Sequence, residues 1–329
     1  MYLVIILFKF HKGESLVEKY DEYKFKSFLW RLELKEAVNY LSNFPEMNDL
    51  YQKYISVFEK GEYLKRTDNE VIGHIDMIYQ KYYRNVFWKA LNKFEAMKTL
   101  FQELFEYLKL DKTTDKIEDT EERVVSLVNK EGYECLCGET QGFFGPYIWK
   151  DSTKETFEVE LPEGTENYTI VMMDGFISRS WLDFISFGKT GAGGWTRKDG
   201  LLSCVRKVYD ITSDSFKISF LKHEAQHSYD IKKYPKITSV ELEYRAKLVE
   251  LIYWPNGKII KFIHNEANNS NKDNTHAYSA YLIIRDLSKR IFELDYIPDY
   301  VKWEDKINEI QKYSLELLKI SSKKLQLEN

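Results

Sequence analysis

Cysteine is scarce. Three in 329 residues is an odd, small number for a long chain, which excludes a fold held by a disulfide framework. Cys135, Cys137 and Cys204 read as reduced core thiols. Cys135 and Cys137 are two apart, so on a strand they share one face, and the spacing is not the C-x-x-C of redox or zinc-ribbon sites. Proline and glycine are few, six and fifteen, which excludes collagen-like and most low-complexity chains. Neither sign of charge dominates: 48 Lys and Arg stand against 52 Asp and Glu. A nucleic-acid-binding domain is usually strongly basic, so no nucleic-acid partner is expected. No apolar run reaches the roughly 18 residues of a membrane-crossing helix. Met1 to Phe8 is apolar but lacks a basic leader and a small-residue cleavage site. It reads as a buried strand or terminal helix segment, and the expected compartment is the cytoplasm.

What is abundant is aromatic. Twenty-four Tyr and 20 Phe supply a large core, and the length fits one large domain or two ordinary ones. Apolar residues recur at three- and four-residue steps through most of 14–110, which predicts helices. The clearest stretch, from Asn69 to Leu110 with Ile75, Ile78, Tyr82, Leu91, Phe94, Phe101, Leu104 and Leu108 in phase, predicts one long helix. Thr67 and Glu70 have capping-box spacing at its start. Asn43 to Asn48, with Pro45, marks a turn. The polar stretch Asp111 to Thr120 suggests a boundary, followed by a short helix over 121–130. From Gly132 the pattern turns to strands: 133–137, 143–149, 156–161, 168–173 and 201–205. The glycine-rich Gly188–Gly200 lacks the order of a phosphate-binding loop and reads as a hairpin or the edge of a cleft. Helices return at 213–233, 239–253, 276–292 and 303–324. The fold class is therefore α+β: a helical N-terminal region, 1–115, then a domain over 116–329 with a small mixed or antiparallel sheet and an active-site helix.

The chemistry lies in His223-Glu224-Ala225-Gln226-His227. Histidines four apart on a helix project from one face, one turn apart, and can share a metal ion. Glu224 is offset around the helix, able to reach water at that ion without ligating it. Random placement predicts about 0.01 such matches in this chain, so the motif, not any single histidine, carries the argument. A catalytic zinc takes three protein ligands and keeps a position open. The metzincin continuation is excluded, because Asp230 and Lys233 occupy its glycine and histidine positions. Cys204 does not sit in the cysteine motif of peptide deformylases. That leaves a glutamate on the helix after Pro235. Glu241 has a local task, a capping box with Thr238 and a pair with Arg245. Glu243, one turn in, is the favoured third ligand, and Glu241 and Glu250 remain alternatives.

Followed by Glu243-Tyr244-Arg245-Ala246, the motif resembles the gluzincin metallopeptidases, in particular those whose second helix carries an E-x-x-A ligand motif. The similarity spans about 213–255. It implies a zincin-like core, Zn2+ bound by His223, His227 and Glu243, peptide-bond hydrolysis with Glu224 as general base, and a peptide or protein substrate. The chain departs from that pattern at Lys247, where an aspartate often supports the first histidine. Asp230 is either a support of the site or an exposed helix residue. His276 and Tyr278, in Asn274–Tyr281, are the candidate donors to a developing oxyanion, against a reading in which Thr275 caps a helix and Tyr278 packs in the core. His264 is isolated, and His11 and His74 lie far from the motif. The alternative function is a catalytically weak zincin scaffold that binds or regulates.

Overall fold

The computed structural model describes residues 19–110, 117–197, 199–270, 272 and 274–328. Met1 to Phe8, His11 and most of the boundary stretch from Asp111 lie outside them. The chain divides into two compact units. One is Met1–Leu64 with Met77–Leu100, and the other is Lys65–Asp76 with Phe101–Asn329.

The first unit is helical. It holds α1 (Glu22–Trp30), α2 (Leu34–Leu41), α3 (Asn48–Tyr54), and π-wound turns at Ile55–Glu59 and Arg84–Trp88. Asp21 starts α1 by accepting from the N–H groups of Tyr23 and Lys24, which satisfies donors a helix start leaves orphaned. Pro45 opens a 3-10 turn, Pro45–Met47, where the sequence predicts a turn. Aromatic rings fill the interior: Tyr40 meets Phe44 edge-on at 4.9 Å and Tyr54 stacks on Phe58 at 5.7 Å.

The single long helix expected from Asn69 to Leu110 is instead two, α4 (Glu70–Tyr83) and α5 (Lys93–Leu108). Between them Ala90 takes a left-handed φ of 53°. Asn92 then restarts the winding, its Oδ1 accepting from Phe94 N–H at 2.9 Å. The cap at the front also differs. Asn69 Oδ1 accepts from Ile72 N–H at 3.0 Å, and Thr67 accepts from Asn69 N–H rather than pairing with Glu70.

The second unit mixes helix and sheet. After α6 (Ile117–Lys130), β1 (Glu134–Leu136) pairs with β4 (Tyr147–Trp149) beyond a small ladder of β2 (Glu139–Thr140) and β3 (Phe143–Phe144). Then β5 (Asp151–Leu161) and β6 (Gly164–Asp174) form a long antiparallel hairpin. β7 (Ser178–Arg179) joins β4, and α7 (Ser180–Ile185) follows. β8 (Gly194–Thr196) and β9 (Leu202–Val205) complete a four-stranded sheet in the order β5-β6-β9-β8. β6 and β9 run parallel; the other pairs are antiparallel. Along β6 the pleat sends alternate side chains to opposite faces. Ile170 and Met172 enter a core with Leu202, Cys204, Phe216, Phe220 and Leu248. Val171 and Met173 enter a smaller cluster with Tyr147, Trp149 and Val205.

The first face is covered by helices: a π-wound segment Ser215–Lys222 running into α8 (His223–Lys233), then α9 (Ser239–Tyr253), α10 (Lys258–Glu266), α11 (Thr275–Ile291) and α12 (Ile307–Glu328). Sequence periodicity misses α10 and places α9 on its bounds. Among the described residues no helix is long and apolar enough to cross a membrane.

The glycine-rich stretch leads into the β8–β9 hairpin, and close approach demands glycine at two of its positions, 193 and 194. A Cβ on Gly194 would run into the Phe220 ring and lie 2.5 Å from Ser203 O; one on Gly193 would lie 2.5 Å from the Tyr209 hydroxyl. Gly194→Ala is therefore expected to lower stability by about 1–3 kcal/mol, the usual cost of overpacking. A urea midpoint that falls with an unchanged m-value would register it.

Candidate metal centre

α8 opens on the motif, so His223 and His227 stand one turn apart with rings edge to face, centroids 4.6 Å apart. Pro235 follows, and α9 turns back alongside. Its start is fixed by a reciprocal capping box: Glu241 N–H donates to Thr238 Oγ1 at 3.2 Å, and Thr238 N–H to Glu241 Oε2 at 3.3 Å. One turn in, Glu243 faces the histidines. Its Oε1 lies 3.4 Å from His227 Nε2 and its Oε2 lies 3.7 Å from His223 Nε2. The three donor atoms fall within 4.8 Å of one another, a group that could hold a metal ion. Zinc ligands about 2.0–2.1 Å from the ion at tetrahedral angles are roughly 3.4 Å apart, close to the separations of Glu243 from the two histidines.

The two alternative glutamates have other tasks. Glu241 is held by Thr238 and by Lys324, 3.0 Å away, instead of pairing with Arg245. Glu250 supports His223, its Oε1 lying 2.6 Å from Nδ1. With the proton on Nδ1 donated to Glu250, the Nε2 lone pair faces Glu243 and the prospective ion. The place left vacant at Lys247 is thus filled one turn further along α9. Lys247 is itself buried, 2.7 Å from Glu266. Truncating such a support typically costs about 10–100-fold in metal affinity. Glu250→Ala is expected to do so in competition with a chromophoric chelator, and Glu250→Gln, which can still accept from Nδ1, to lose less.

The electrostatics favour a cation. Burial opposes charge on His227, but Glu243, Glu224 and Asp230 outweigh it and raise the imidazole above its ordinary value. Burial likewise pushes Glu243 up, yet His276, His227 and His223 together hold it well below the usual carboxylate range. A carboxylate held ionised beside two imidazoles is a donor set suited to a dication.

Glu224 lies at the sheet edge. Thr196 Oγ1, on β8, is 2.7 Å from Glu224 Oε2 and 2.9 Å from Glu224 O, so its hydroxyl steers the carboxylate. His276 Nδ1 comes within 3.1 Å of Glu243 Oε2, without the alignment of a hydrogen bond, and the side chain is 44% exposed. Asn274, not Thr275, caps that helix, accepting from Ala277 N–H at 3.2 Å. Tyr278 is half-buried and stacks on Tyr281, centroids 6.3 Å apart. Asp230 is neither exposed nor a direct partner of a histidine: it is fully buried, bound by Arg245 Nε at 2.8 Å. Cys204 sits in the core on β9, where burial raises its thiol to about 12. His264 packs edge-on against Trp303 and His74 stacks on Tyr107.

Sequence reasoning missed Glu250 as a support and Thr196 altogether. Glu250 could have been found, since it lies seven residues beyond Glu243 and shares its helix face. Nothing in the local sequence marks Thr196. No protein-family model, curated protein or solved structure matches the chain, so the site is interpreted from its own geometry.

Proposed function

We propose that the chain is a zinc-dependent peptidase of the gluzincin kind, with a zincin-like core in its second unit. The observation that carries this is the convergence of His223, His227 and Glu243 within 4.8 Å, with Glu224 beside them on α8. When bound, zinc supplies Lewis acidity that activates water near neutral pH and polarises a carbonyl. Glu224, steered by Thr196, takes a proton from the attacking water and returns it to the leaving amine nitrogen. His276 is our assigned oxyanion donor, being half-exposed and beside Glu243, and Tyr278 is the second candidate. Among the described residues β8 pairs only with β9. Its outer edge is therefore the place for an extended peptide to add as a strand.

Elemental analysis of purified protein beside Glu243→Ala tests the reading. The variant is expected to lose one equivalent of zinc, and the parent to cleave members of a peptide library. No zinc in the parent after reconstitution, or the same zinc content in both, would overturn the ligand set.

A further inference from the structure

A thiol-bearing site lies elsewhere in the same unit. The sequence suggests that Cys135 and Cys137 are core thiols; the structure makes them half-buried, on the wall of an open cavity of about 780 Å3 between α6 and β1. Both line this cavity, together with Leu136 between them, which is 43% exposed. Their sulfurs are 3.8 Å apart. Zn–S bonds of about 2.3 Å at a tetrahedral angle separate two thiolates by roughly this distance. A disulfide needs about 2.05 Å, so closing one would require the strand to shift.

The facing wall is acidic, with Glu118, Glu121 and Glu122 of α6 lining the same cavity. Glu121 is partly buried, and its Oε1 has no hydrogen-bond partner among the described residues. Burial first, then Glu118 and Glu139, raise its carboxyl above the ordinary range. Negative charge concentrated beside two thiols suits a cation. The hard alternatives, Mg2+ and Ca2+, prefer oxygen ligands and gain nothing from sulfur.

We propose that Cys135 and Cys137 chelate a thiophilic divalent d10 cation, Zn2+ or Cd2+, at the mouth of this cavity. Two metal–sulfur bonds form and two thiol protons leave to solvent; no electron is transferred and no co-reactant is needed. Water fills the remaining positions, since among the described residues no carboxylate lies within ligand reach of both sulfurs, and the acidic wall contributes its charge. This site is independent of the His223–His227–Glu243 group, which contains no sulfur.

That difference supplies the test. Co2+ is added to full-length His223→Ala protein, whose histidine site is disabled. A thiolate-to-cobalt charge-transfer band is expected, saturating at one equivalent. It should vanish in Cys135→Ser and in Cys137→Ser, and persist in Cys204→Ala. The unmutated chain gives a second readout that depends on no variant folding. Cd2+ should protect both Cys135 and Cys137 from alkylation by iodoacetamide, read peptide by peptide in a mass spectrometer. Absence of the band, its survival in both serine variants, or alkylation at the same rate with and without Cd2+ would each overturn the proposal. None of these results bears on whether the histidine site binds zinc.

Discussion

Glu224→Gln is expected to keep its zinc and lose its hydrolysis. The substitution preserves size and leaves Thr196 a partner, since the amide oxygen can accept where the carboxylate does, 2.7 Å from Oγ1 in the parent. Glu224 is outside the donor group of His223, His227 and Glu243, so metal content should be unchanged. What disappears is the ability to accept and return a proton. Removing a positioned general base typically costs about 10^2–10^4-fold in rate. The comparison to make is kcat/KM on a cleaved peptide, at matched zinc occupancy. Unchanged turnover would remove Glu224 from the mechanism. A parent fully loaded with zinc that cleaves no peptide would instead favour the scaffold role, in which the same geometry binds without reacting.

The largest stability effect is expected at Arg245. Its guanidinium is fully buried and is surrounded by acceptors: Asp230 Oδ2 at 2.8 Å, Glu163 Oε1 at 2.8 Å and Ser322 Oγ at 2.9 Å. Burial alone would ease its proton away, but Asp230 and Glu163 outweigh burial and raise its pKa. Arg245→Met leaves Asp230, itself fully buried, as an uncompensated charge. Breaking a buried pair from one side costs about 3–5 kcal/mol. Urea unfolding should show the loss as a lowered midpoint. The double variant Arg245→Met with Asp230→Leu should recover much of it, because removing both charges together avoids the stranded one. A single variant as stable as the parent would show that the pair contributes nothing net.

Much of the site could be read from the sequence, because a helix converts spacing into direction. Histidines four apart share a face, and the Thr238–Glu241 box fixes where α9 begins, so Glu243 could be placed from the sequence. What escaped depended on meetings between distant segments. Thr196 reaches Glu224 across 28 residues and Lys247 reaches Glu266 across 19, and no periodicity encodes such a meeting. Arg245 illustrates the risk of local rules: its i,i−4 neighbour Glu241 is held by Thr238 and Lys324, and the buried Asp230 takes the guanidinium instead. The break between α4 and α5 escaped for another reason. Apolar residues keep their phase through 85–93, and only Asn92, with Glu95 three residues on, hints at a new start. The β5–β6 hairpin was visible in part because the later half of each strand carries its buried apolar residues; the first four residues of each strand are exposed.

The β5–β6 hairpin ends at Pro162-Glu163, and Glu163 shares Arg245 with Ser322 of α12, which also donates to Glu163 Oε1 at 3.2 Å. One buried cation therefore joins segments 82 and 159 residues apart. Contacts of such separation form late, because the loops between them must close first. On the ribosome, α8 and α9 emerge long before Ser322 does. The anchorage of α8 through Asp230 and Arg245 is therefore complete only once α12 has docked.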